Sequence, residues 1–343
     1  MMDFCHFLGC YQKDKNYGGK RLYDDMIAQA ILADSLGYRG VGLPEHHLIN
    51  ILNLPSPLQM AVKLSNLTRH VEFVTAVSVL PLHDVRVLAG EIIQADMLCD
   101  GRLVLGIGRG AFAYEMARLD SPIEESREKF DETLDLLLRL LSEEEVSADG
   151  KYYKFDPITI MPRPMRPVPM MLAALVPPAI YHSAKRGFHI QTTPLSGGHD
   201  HLKEQVGAFH KAKEELGENG SHLRLSLQRG IHVAKDDAEA KAFIEQAHVY
   251  FSQFDNVFTG PGQVKNGMIE KLPRKQTEKE LGESLVACTA PEAIDRLAEY
   301  AELGIDEVIV TCNMGFESAQ VMEGMHRLAE DVMPHLKSIK AVA

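Results

Sequence analysis

The sequence predicts an α/β fold: a single (β/α)8 (TIM) barrel spanning residues 1–343, with an insertion acting as a lid after the seventh strand. Three observations predict it. Eight strand-like segments alternate with amphipathic helical stretches from end to end. Glycines stand where helical runs give way to strands. No break in composition divides the 343 residues, although that length suits either one large domain or two ordinary ones. A doubly wound sheet is the alternative for the same alternation.

The strands, short and rich in apolar residues, are expected at Asp3–Gly9, Arg39–Leu43, Val71–Val79, Arg102–Ile107, Pro169–Ala174, Phe188–Thr193, Leu223–Val233 and Asp306–Cys312. Helical stretches fall near 21–36, 57–67, 84–99, 124–141, 178–186, 200–216, 236–253, 290–303 and 318–335, and Leu134, Leu137, Leu138 and Leu141 show the helical spacing well. Gly37, Gly101, Gly187 and Gly304 sit where a left-handed C-terminal cap is needed. Asp84 and Thr289 are candidate N-caps, the latter with Pro291 in the first turn. A barrel takes roughly 250 residues, so the excess belongs to insertions. Residues 142–167 are polar and then carry Pro157, Pro162, Pro164 and Pro167. Residues 254–284 open with Gly260-Pro261-Gly262, continue through Lys265, Lys271, Arg274, Lys275 and Lys279, and show little apolar periodicity. That pattern predicts a long irregular segment used as a mobile lid.

Hydrophobic content of 45% and charged content of 24% are those of a soluble globular chain. A net charge of −12 argues against a nucleic-acid surface, which wants clustered Lys and Arg. Cys5, Cys10, Cys99, Cys288 and Cys312 are odd in number and form no C-x-x-C pair, against a disulfide framework or structural zinc site. The N-terminal residues show no basic-then-apolar signal, and the longest apolar stretch, around Met170 to Ile180, is broken by Pro177 and Pro178. The expectation is a cytoplasmic protein with no membrane partner. The thirteen Phe, ten Tyr and fifteen Met read as mostly core.

Val41-Gly42-Leu43-Pro44-Glu45-His46-His47 is a buried strand ending in titratable groups, at the barrel end where β/α enzymes keep their chemistry. Imidazole changes charge nearest neutrality, so His46 or His47 suits proton exchange with a bound substrate; a hydrogen-bonded structural histidine is the other reading. Neighbouring strand residues point to opposite faces and H-E-x-x-H is absent, so no metal is expected. Gly106-Ile107-Gly108-Arg109-Gly110 is a glycine-rich turn that allows close backbone approach to a ligand, with Arg109 offering a donor fork to a phosphate or serving as a surface arginine. It lacks the third glycine of a dinucleotide fingerprint, since position 111 is alanine. Arg127 opens the next helix, where it serves either an anion or an ion pair with Glu124 and Glu125. No G-x-S-x-G elbow is present.

Together these segments resemble the bacterial luciferase-like, flavin-dependent monooxygenases. The likeness runs through Glu45-His46-His47, Thr75-Ala76-Val77-Ser78-Val79-Leu80-Pro81 with Val85-Arg86, Asp100-Gly101-Arg102, the glycine-rich turn, Ser126-Arg127 and Ala184-Lys185-Arg186-Gly187. It continues in Thr289-Ala290-Pro291-Glu292 and Asp331-Val332-Met333-Pro334-His335-Leu336-Lys337. The order and spacing of these motifs carry it; none does so alone. The resemblance implies a barrel binding reduced FMN as cosubstrate, supplied by a separate flavin reductase, which with O2 forms a C4a-peroxyflavin that acts on a small apolar organic substrate. It places the isoalloxazine ring by Ala76, Val77 (their peptide cis) and the Glu45–His46 corner, and the phosphate at Arg109 and Arg127. His46 would move protons and Glu45 would orient it. A homodimer or heterodimer is implied, built on the helices near 57–67 and 84–99, with Ala61, Leu64, Leu88, Ile92 and Ala95 in contact.

The chain departs from the luciferase pattern in three places. Leu175-Val176 and Pro177-Pro178 stand where catalytic subunits have a Glu-Ser pair, leaving the backbone N–H groups of Ala174, Leu175 and Val176 to the phosphate. Gly108 replaces a cysteine, and the chain has no Trp. These departures point away from light emission and toward weaker flavin binding. A deazaflavin-dependent oxidoreductase and a non-catalytic flavin-binding relative are the alternative readings.

Overall fold

A computed structural model describes residues 2–195, 198–336 and 339; Lys337 of the C-terminal motif lies outside them. Eight parallel strands close into a barrel: β1 (Asp3–Phe7), β2 (Gly40–Leu43), β3 (Glu72–Thr75), β4 (Leu103–Gly108), β5 (Met170–Ala173), β6 (His189–Thr192), β7 (Leu225–Val233) and β8 (Glu307–Thr311). Each pairs with the next in sequence, and β8 returns to β1 with Asp3 opposite Glu307. All eight expected strands are present, which removes the doubly wound alternative. Because both faces are covered, the strands are near-continuous apolar runs: Leu103, Leu105, Ile107, Val308 and Ile309 are fully buried.

The helices fall where the periodicity put them. Those used below are α1 (Gly19–Ser35), α2 (Pro57–Ser65), α3 (Val85–Leu98), α4 (Ala113–Arg118), α5 (Ser126–Ser142), α6 (Pro177–Lys185), α7 (Gly198–Leu216) and α8 (Asp237–Phe258). On α5, Leu134 and Leu137 are fully buried against the barrel. Gly37, Gly101, Gly187 and Gly304 take φ of 78°, 72°, 89° and 80°, as a left-handed cap requires. Asp84 caps α3 by accepting from the Arg86 N–H, whereas Thr289 occupies its N-cap without a side-chain bond.

Three expectations need correction. Val71–Val79 is not one strand: β3 stops at Thr75, the Ala76–Val77 peptide is cis as the resemblance implied, and Ser78–Val79 resumes pairing with β4. Residues 254–284 are not irregular. Residues 254–258 complete α8, Val264–Lys265 pairs with Met268–Ile269 as a hairpin, and Glu278–Ser284 is a helix with a capping box. Polar side chains tie this excursion to α8 and the mouth: Asn256 donates to the carbonyls of Gln263 and Glu270, Gln253 donates to the Ile269 carbonyl, and Asn50 accepts from the Ile269 N–H. The sequence hid this because the segment is held by side-chain amides rather than by an apolar stripe. Third, Ala61, Leu64, Leu88, Ile92 and Ala95 are buried inside the chain and cannot supply a dimer contact. The outward apolar residues of α3 are Val87 and Leu98, 59% and 51% exposed.

The other insertion, 142–167, forms the antiparallel hairpin Val146–Asp149 with Lys154–Ile158. Among the described residues, no helix is long and apolar enough to cross a membrane.

Candidate active site

The chemistry-bearing side chains gather where β2, β3 and β4 end. After Leu43 the chain leaves the barrel wall, so Glu45, His46 and His47 diverge instead of alternating along a strand. Glu45 turns inward. Its carboxylate accepts from His83 Nε2 at 2.7 Å, His47 Nε2 at 3.0 Å and the Val79 N–H at 2.8 Å. Burial raises the Glu45 pKa, but those three donors outweigh it and hold the carboxyl below its ordinary value. For His83, burial lowers the pKa, while the hydrogen bond and charge of Glu45 raise it further, leaving it above its ordinary value. Tyr153, on the 142–167 insertion, anchors this cluster by donating to the His83 carbonyl at 2.9 Å.

Contrary to what the resemblance implies, Glu45 therefore does not orient His46. That part falls to Glu115 on α4, fully buried, whose Oε1 lies 2.7 Å from His46 Nδ1 and whose Oε2 accepts from the His47 N–H at 2.8 Å. A carboxylate on Nδ1 holds the proton there and leaves Nε2 as a proton acceptor. Phe112 stacks on the His46 ring at 4.2 Å between centroids and 21° between planes, fixing its tilt. The sequence signal for Glu115 was thin: it is a carboxylate one short turn beyond the glycine-rich segment. His83 stands beyond the end of β3, the kind of place that drew attention to His46.

His46 and Ala76 line a cavity of about 230 Å³ over the C-terminal ends of the strands. Phe7 and Thr311 come from β1 and β8, Gln228 from β7, and Tyr250, Phe254 and Phe258 from α8. Phe7 and Tyr250 belong to the buried core and Phe254 and Phe258 pack against it, and the α8 rings also roof the cavity. Beneath them Gln191 Nε2 donates to Gln228 Oε1, and Gln228 Nε2 donates to Thr311 Oγ1.

The other expected residues lie outside this lining. Val77 packs on the glycine-rich turn: a Cβ on Gly108 would come 2.5 Å from Val77 Cγ2, and one on Gly106 1.8 Å from the Thr75 carbonyl oxygen. The glycines at 106 and 108 thus admit the neighbouring chain, not a ligand. Arg109 and Arg127 are exposed and form no ion pair or hydrogen bond among the described residues, so the ion pair with Glu124 or Glu125 is not made. Arg127 lies in the first turn of α5, whose N-cap Glu125 makes no side-chain bond, leaving the helix N-terminus open. Of the three expected backbone donors, Ala174 N–H is already taken by the Gln191 carbonyl at 3.0 Å. The N–H groups of Leu175 and Val176 meet no acceptor among the described residues. Of the expected donors, Arg109, Arg127 and the Leu175 and Val176 N–H groups thus remain without a partner among the described residues, and Ala174 does not.

Residues 2–307 match the luciferase-like monooxygenase profile, and the chain belongs to that family of oxidoreductases. It is 26% identical over 332 residues to the oxygenase component of the flavin-dependent trigonelline monooxygenase of Acinetobacter baylyi, covering 94% of this chain and 92% of that one. The fold is shared with the oxygenating constituent of 3,6-diketocamphane monooxygenase of Pseudomonas putida, solved with FMN (TM-score 0.79, 16% identity, 99% and 100% of the two chains). It is shared equally with an F420-dependent secondary alcohol dehydrogenase (TM-score 0.77, 17% identity, 98% and 99%).

Proposed function

We propose that this protein is the oxygenase of a two-component flavin monooxygenase, taking reduced FMN from a separate flavin reductase together with O2 and a small apolar organic substrate. The observation that carries the reading is the His46–Glu115 pair at the cavity edge beside Ala76, with His46 Nε2 left free to take a proton. Reduced FMN, when bound, supplies the electrons that activate O2. Arg109, Arg127 and the N–H groups of Leu175 and Val176 would hold its phosphate, and Ala76 would lie against its ring, backed by Val77 on the glycine-rich turn. His46 moves a proton at Nε2, Glu115 is its positioning residue, and Glu45 holds the strand end in place through His47 and His83. The aromatic roof excludes water, which favours productive reaction over release of peroxide.

The barrel shared with an F420-dependent dehydrogenase favours a second reading, a deazaflavin-dependent oxidoreductase. Equilibrium binding of FMN, reduced FMN and F420, followed by isotope analysis of product formed under labelled O2, separates the two. Binding of reduced FMN in preference to F420 and labelled oxygen in the product are expected. Binding of F420 without reduced FMN would overturn the oxygenase assignment.

A further inference from the structure

The roof of the cavity has an order that the reaction class does not explain. Tyr250, Phe254 and Phe258 are spaced four residues apart on α8 and so share one face of the helix. Their planes stay close to parallel, 26° between Tyr250 and Phe254 and 31° between Phe254 and Phe258, with centroids 6.3 and 5.3 Å apart. Phe112 meets this row edge-on, at 81° to Phe254 and 75° to Phe258, and carries the His46 ring stacked on it. A row of near-parallel rings with a perpendicular ring beside it offers π faces and edges in the arrangements that aromatic groups prefer.

The charge around the cavity is equally one-sided. Among the described residues no carboxylate or lysine lines it, and its arginine, Arg229, donates through Nε to the Tyr300 hydroxyl at 3.2 Å. Directly behind His46 lies Glu115, fully buried. An anionic ligand would lose its hydration here and face the buried Glu115 carboxylate.

We propose that the organic substrate is a small planar conjugated ring bearing no negative charge, held by the Tyr250–Phe254–Phe258 row and presented edge-on to His46. For catalysis this rests on the oxygenase reading; for binding it does not. Ring stacking adds about threefold to tenfold in affinity beyond the area buried, so the wild-type protein should bind benzyl alcohol at least threefold more tightly than cyclohexylmethanol. That order runs against hydrophobicity, which favours the saturated ring. Benzoate should bind more weakly than benzyl alcohol. Affinities come from NMR titration of the intact chain. Phe254→Leu, which keeps apolar bulk, should bring the aromatic and saturated rings to equal affinity and leave FMN binding within twofold. Phe258→Leu repeats the test from the neighbouring position. Cyclohexylmethanol or benzoate binding as tightly as benzyl alcohol in the wild type would overturn the proposal. Parallel loss of FMN and benzyl alcohol in both variants would overturn it too, since the row would then hold the flavin. A retained aromatic preference in a protein that binds no flavin would uphold the ring site and remove the oxygenase reading.

Discussion

The two ends of the barrel are both rich in charged residues, yet they are built on different terms. At the floor, where the strands begin, Asp3, Arg39, Glu72, Arg224 and Glu307 face one another. Arg39 reaches Glu72 at 2.9 Å and the fully buried Glu307 at 3.2 Å, Arg224 reaches Asp3 at 2.6 Å, and Ser226 donates to Glu307 at 2.8 Å. Burial and the nearby Glu307 push the Glu72 pKa above its ordinary value despite Arg39. At the mouth, Arg109 and Arg127 have no described partner, the N–H groups of Leu175 and Val176 have no acceptor, and His46 keeps one ring nitrogen free. The floor pairs its charges with one another, although Glu72 Oε2 and Arg224 Nε make no hydrogen bond, whereas the mouth leaves two arginines without a partner among the described residues. In a (β/α)8 barrel this is the physical difference between an end that stabilises and an end that binds.

The largest expected effect tests the mouth. His46→Ala should fold and bind reduced FMN within a few-fold of wild type, while the rate of product formation falls by about 10²–10⁴, the usual range for positioned proton transfer, and product per O2 consumed falls with it. Hydrogen peroxide should account for the missing oxygen. Glu115→Gln should lie between the two, because an amide still bonds Nδ1 but no longer carries charge. His47→Ala is the control: if it alone uncouples the reaction, the proton passes through the other histidine.

Next comes a paired test of floor against mouth. Arg39→Leu leaves Glu307 buried without its guanidinium and should lower unfolding free energy toward the low end of about 3–5 kcal/mol, since Arg39 is itself partly exposed. Arg109→Ala should leave urea stability nearly unchanged and weaken FMN at least tenfold, a charge-assisted contact contributing about 1.5–3 kcal/mol, with riboflavin affinity barely altered. Stability loss in Arg109→Ala, or equal losses for FMN and riboflavin, would show that the mouth arginine is structural like those of the floor.

What the sequence made legible follows the same division. Strands buried on both faces and helices with one apolar face leave periodic marks, so all eight barrel strands and the main helices could be placed from residue order. Glu45, His46 and Arg109 were visible as chemical types in telling places, but their partners were not. Glu115 reaches His46 across 69 positions of sequence, and which carboxylate meets which imidazole depends on how the 44–50 and 110–115 loops fold together. The 254–284 excursion was misread for a related reason. Amide side chains such as Asn256 satisfy its backbone, and such bonds leave no apolar period. The α8 aromatic row had the right spacing for a core stripe, and only the closed barrel shows that the stripe faces a cavity.

The smallest effect concerns pH and the Glu45–His83 pair, where the mouth, like the floor, joins its titratable groups internally. Glu45 titrates below its ordinary 4.5, so its contribution to stability is present above that pH and is lost as pH falls through the depressed value. His83 titrates above its ordinary 6.5, so its contribution is complete below 6.5 and is lost as pH rises through the elevated value. Both groups are charged and joined between those limits. The stability difference between wild type and His83→Gln should therefore be greatest near pH 5–6, on the order of 1 kcal/mol for a partly exposed charged pair, and should shrink toward pH 8–9 as the imidazole loses its charge and keeps only a neutral bond to Glu45. Urea unfolding of both proteins across that range measures it. A difference that stays constant with pH would show that His83 serves by packing and by its backbone carbonyl, which Tyr153 holds in either protonation state.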